Sequence, residues 1–208
     1  MQPGPKKIVK CPHCGGTKEL MSLRSGNTFG ARFWSDGKRQ APMLPQASPV
    51  QKCPDCGKYY LLYQQEYTLA DGFSTEKGEL GYAEWKEALA QFAEEDLKKA
   101  DQADVRLGVI QAFNDQYYRG GGRKKPSQKE TDFINTIIGE FIKLYNWRKK
   151  ELPLLKAELY REMGEMKKCA RVLAGMEQKP MKEYEKALYE GIKERMEKDD
   201  RKVFQIKP

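Results

Sequence analysis

The chain has 208 residues, 39% hydrophobic and 33% charged, with a formal net charge of +8. Those proportions fit a globular chain of one or two domains and exclude a low-complexity or collagen-like one. No apolar run approaches the roughly 20 residues of a membrane helix, and Met1 to Lys7 lacks the apolar core of a signal peptide, so a cytoplasmic protein with no membrane partner is expected.

In chain order, residues 6–10 (Lys-Lys-Ile-Val-Lys) predict a short strand that runs into Cys11-Pro12-His13-Cys14-Gly15. The same form returns as Cys53-Pro54-Asp55-Cys56-Gly57. Two residues between cysteines let both sulfurs point at one ion, and the glycine supplies the positive φ that closes the turn. Cys11, Cys14, Cys53 and Cys56 are thus the expected ligands of one structural Zn2+ per chain. A Cys-Pro-His-Cys motif also serves thioredoxin-like redox chemistry, but that needs a strand before it and a helix opening on it, and Gly15-Gly16 follows here. His13 reads as a turn residue, since the cysteines already complete a ligand set. Being the only histidine, it also leaves neutral-pH acid/base catalysis without its usual agent.

Between the cysteine turns, Gly26-Asn27 and Asp36-Gly37 flank Thr28 to Trp34, a hairpin pattern. Pro42, Pro45 and Pro49 keep residues 41–50 irregular, and residues 58–67 predict the strand leaving the second turn. The order of knuckle, hairpin, loop, knuckle and strand resembles a zinc ribbon, assigned to residues 1–70. In zinc ribbons the hairpin often touches nucleic acid. That resemblance makes Arg32, Trp34, Lys38 and Arg39 candidate contacts, with rings for bases and cations for phosphates. The competing reading is that so small a domain needs its large rings for its own core.

Residues 71–81 lack a clear period and predict a linker. From residue 82 the period becomes helical. Helices are expected near 82–100 and 103–118, then from Ser127, whose spacing to Glu130 matches a capping box. Arg119 to Lys125 holds three glycines and four cations. It lacks the pattern of a P-loop, and Arg123, Lys124 and Lys125 are kept as candidate nucleic-acid contacts.

Residues 154–164 and 165–176 predict two helices joined at Gly164, and a last helix spans 181–198. The first pair resembles a tetratricopeptide repeat: Ala157 at its small position, Tyr160 three residues on, Gly164 at the turn, Cys169 for its usual alanine and Pro180 near its terminal proline. It departs from the family in lacking the early tryptophan and in carrying Lys156 for a leucine. The resemblance implies that Cys169 is a small buried thiol at a helix contact. Lys202 to Ile206 predicts a strand-like tail that docks on a sheet edge.

The expected fold is mainly α with a small β domain: a zinc ribbon (1–70), a linker (71–81) and a tetratricopeptide-like antiparallel bundle of about six helices (82–208). The expected function is a non-catalytic protein-interaction or scaffold module with a protein partner. An RNA- or DNA-binding protein is the alternative. The sequence specifies no oligomeric state.

Overall fold

The computed structural model describes residues 1–119, 125–145, 152–177 and 179–207. The chain divides into two compact units, one of residues 1–31 and 40–96 and the other of residues 32–39 and 97–208. Small antiparallel sheets and six helices are found among the described residues, so the protein is mainly α with a small β part.

The first unit is built from strand pairs. β1 (Gln2–Pro3) pairs with β4 (Leu23–Ser25), and β2 (Lys6–Lys10) is the middle strand between β3 (Thr17–Leu20) and β9 (Tyr67–Ala70). β7 (Val50–Lys52) pairs with β8 (Tyr59–Leu61). The β2–β3 and β7–β8 hairpins each carry one cysteine turn at their bend, and their inner faces meet over Val9, Leu20, Cys11, Cys53 and Tyr60.

Helix α1 (Tyr82–Phe92) belongs to this unit and not, as the expected domain boundary had it, with the other helices. The reason is specific. The Gln91 side chain pairs with both backbone groups of Tyr59, accepting from its N–H at 2.9 Å and donating to its carbonyl at 2.8 Å, while the Tyr59 hydroxyl donates to Glu87 at 2.6 Å. A side-chain amide thus adds a strand-like contact to β8. α1 also ends eight residues before its expected limit of 100, at the point where Glu94, Glu95 and Asp96 put three acids against the negative end of the helix dipole.

The second unit contains α2 (Lys99–Tyr117), α3 (Gln128–Leu144), α4 (Pro153–Glu162), α5 (Met166–Ala174) and α6 (Glu183–Glu197). Ser127 caps α3, its hydroxyl accepting from the Glu130 N–H at 3.2 Å, as the spacing predicted. α4 starts on Pro153, whose fixed φ suits a first turn. Gly164, at φ 79°, closes the turn to α5. Cys169 is fully buried at that pair, among Leu154, Ala157, Leu173, Leu188 and Ile192.

Residues 32–39 join this unit, so the hairpin expected in the ribbon packs elsewhere. β5 (Arg32–Trp34) turns through Asp36-Gly37 to β6 (Arg39–Gln40), with Gly37 at φ 80°. Its other edge takes the C-terminal tail: β10 (Gln205–Ile206) runs antiparallel, Gln205 opposite Trp34 and Ile206 opposite Phe33. Ser35 brackets Phe204, donating its N–H to the carbonyl and accepting the amide on its hydroxyl, both at 3.0 Å. The expectation that the tail docks on a sheet edge thus holds, and the edge is that of β5.

Candidate metal centre

Each cysteine turn is built the same way. The Gly15 N–H donates to the Cys11 carbonyl at 2.9 Å, and the Gly57 N–H to the Cys53 carbonyl at 3.0 Å. Each hairpin then closes through the first cysteine's own N–H, Cys11 to Gly16 at 2.7 Å and Cys53 to Lys58 at 2.9 Å. Gly15 and Gly57 have φ of 76° and 72°, a conformation side chains rarely accept. Gly16 lies close against the other turn: a Cβ there would lie 2.0 Å from the Asp55 carboxylate, which would have to swing away.

This brings all four sulfurs within 4.8 Å of one another. Cys11 and Cys56 stand 3.7 Å apart, Cys14 and Cys53 3.6 Å apart. Four sulfurs at about 2.3 Å from one tetrahedral ion are about 3.8 Å apart along each edge, so the spacing fits a metal. It is far too long for a disulfide. Cys11 and Cys53 are buried, whereas Cys14 and Cys56 face solvent. Backbone N–H groups of His13 and Gly16 approach the Cys11 and Cys14 sulfurs at 3.4 Å, offsetting thiolate charge.

Protonation follows from this crowding. Burial pushes the Cys11 thiol up. Burial acts the same way on Cys53, but N–H donation from Cys56 and Asp55 outweighs it and brings that thiol down to about 7. At Cys14 the Gly16 N–H pulls down, while the Cys56 sulfur and desolvation push the thiol up to about 12. Metal uptake therefore releases protons and weakens in acid.

His13 lies outside the sulfur cluster. Its Nε2 donates to the Tyr59 carbonyl at 2.9 Å and ties the first turn to the second hairpin. Cys169 is not among the clustered cysteines, and burial lifts its thiol to about 11. The ring of Tyr60 backs the site, its phenol pushed up to about 12 by burial first and the cysteine sulfurs second. The sequence signal for that backing was the aromatic run Tyr59-Tyr60 directly after the second turn.

Of the candidate nucleic-acid residues, Arg32, Trp34, Lys38 and Arg39 lie on the β5–β6 hairpin. Arg32 and Arg39 are exposed there. Trp34 is half-buried under the Arg119 guanidinium, 5.4 Å from its ring centre, and Lys38 is bonded to Asp115. Lys125 is exposed ahead of α3, and Arg123 and Lys124 lie outside the described residues.

Comparison of the chain with protein families, curated proteins and solved structures finds no match. Among the described residues no helix is long and apolar enough to cross a membrane.

Proposed function

We propose that the protein is a non-catalytic interaction module whose cysteine cluster is a structural zinc site. The observation that carries this is the closed donor set. Four sulfurs at tetrahedral spacing fill the coordination sphere of Zn2+, leaving no position for water or substrate. On this reading residues 1–31 and 40–70 form a zinc-ribbon-like staple, and α4–α5 is a tetratricopeptide-like hairpin in a scaffold for a protein partner.

The charge supports where that partner binds. The helical unit holds 29 Lys and Arg against 19 Asp and Glu, a net +10, whereas the cysteine-bearing unit holds 9 against 11, a net −2. An acidic protein surface complements the former. The second reading, nucleic acid, rests on the same excess, but Trp34 and Lys38 already make contacts inside the unit. Affinity capture from the native host with and without nuclease separates the two. A protein partner that survives nuclease supports the first reading. Nuclease-sensitive capture, with binding that falls steeply in salt, supports the second.

A further inference from the structure

The three-stranded sheet of the cysteine-bearing unit ends in β9, whose one strand neighbour among the described residues is β2. Tyr67 is 52% exposed and Leu69 59%, with Thr68 exposed between them. Edge strands usually carry a charge, a proline or a bulge that discourages pairing. Tyr67-Thr68-Leu69-Ala70 carries neither charge nor proline, and its pairing with β2 runs in unbroken register. Two more large rings, Tyr63 at 54% and Phe73 at 76%, are exposed on either side of it in sequence.

We propose that β9 pairs antiparallel with β9 of a second copy about a twofold axis at Thr68, joining two three-stranded sheets into one of six strands. The strand is self-complementary in this register. Tyr67 faces Leu69 of the second copy, and Leu69 faces its Tyr67, the aromatic-aliphatic pairing that stabilises neighbouring strands. Charge agrees. Glu66 faces Ala70 of the second copy, and Ala70 is itself opposite Lys6 on β2. Residues directly opposite in successive strands share a face, so Glu66 reaches over the short alanine toward that lysine. Twofold symmetry makes this contact twice. Within one chain Glu66 is exposed and without an ion pair among the described residues, while Lys6 is held by Glu19 at 2.6 Å and has donors to spare. An isologous contact of this kind closes as a dimer. It is a contact between copies and stands independently of what the helical unit binds.

The test is sedimentation equilibrium of the full metal-loaded chain over a wide concentration range. The expected mass rises from the 24.0 kDa chain toward twice that value. Thr68→Lys sets two ammonium groups face to face on the axis and weakens the dimer at least about fivefold. Glu66→Lys weakens it as well, and both variants keep the metal content and circular dichroism of the parent. A 24.0 kDa species at every concentration, or a Thr68→Lys dimer as tight as the parent's, overturns the proposal.

Discussion

Asp36, Glu158 and Glu162 enter the interior of the helical unit beside the guanidiniums of Arg119 and Arg161. Arg119 grips both Asp36 oxygens at 2.7 Å, and Arg161 grips Glu158 at 2.5 and 2.8 Å. Glu162 is left over. Its Oε2 accepts from Asn114 at 3.0 Å, while its buried Oε1 has no hydrogen-bond partner among the described residues. Burial first, then the neighbouring Glu158 and Asp36, raise its pKa well above the ordinary carboxylate range, against weaker pulls from Asn114 and Arg161. The folded state therefore keeps a proton that the unfolded chain releases above about pH 4.3. The sign follows: this stability is fully present below that pH and is lost as pH rises through the folded value. Glu162→Gln keeps the neutral shape, so it should unfold at higher temperature than the parent at neutral pH, with the gap closing in acid. Thermal unfolding across pH checks this. A parent curve that matches the variant at every pH means Glu162 is ionised in the fold. The sequence held part of this signal, because Glu158 and Arg161 follow Leu154 and Ala157 at the i, i+3, i+4, i+7 spacing of a buried stripe. Glu158 and Arg161 pair three residues apart, but Asp36 meets Arg119 83 residues away and Glu162 meets Asn114 48 residues away, beyond the reach of any local period.

At the scale of elements, the tail is the piece that closes the helical unit. Phe204 is nearly buried, with the Arg195 guanidinium 4.0 Å from its ring centre, and Arg161 donates to the Asp200 and Lys202 carbonyls just before it. The ring fills the space above Gly191, where an added Cβ would stand 2.4 Å from it. Phe204→Ala should cost about 3–5 kcal/mol by emptying that site. Gly191→Ala should cost about 1–3 kcal/mol by overfilling it. Denaturant unfolding measures both, and a cost under about 1 kcal/mol for Phe204→Ala would mean the tail is not part of the core. Helix periods were readable where a helix buries one stripe: α3 starts directly after Ser127, as expected, and α6 falls within two residues of its expected limits. The allegiance of residues 32–39 and of α1 was not readable, since the Ser35 hydroxyl pairs with the Phe204 backbone and the Gln91 amide with the Tyr59 backbone, contacts at long range that leave no periodic pattern in the sequence.

At the scale of the whole molecule, the two units differ in what holds them and in charge. The cysteine-bearing unit has a small apolar core around its sulfurs and a net charge of −2, the helical unit a larger core and +10. The cysteine spacing was legible from the start, because tetrahedral coordination demands residues of one type at short fixed intervals. The supporting contacts of His13 and Asp55 were not, because they depend on how the two turns face each other. The proposed role of these turns is to hold a structural metal. The most direct measurement is metal analysis of the purified chain, its Cys53→Ser variant and its Cys169→Ala variant. About one zinc per chain is expected in the parent and in Cys169→Ala, with loss of metal and of the unit's fold in Cys53→Ser. A parent without metal, or a Cys169→Ala variant that loses it, would contradict a metal site at Cys11, Cys14, Cys53 and Cys56.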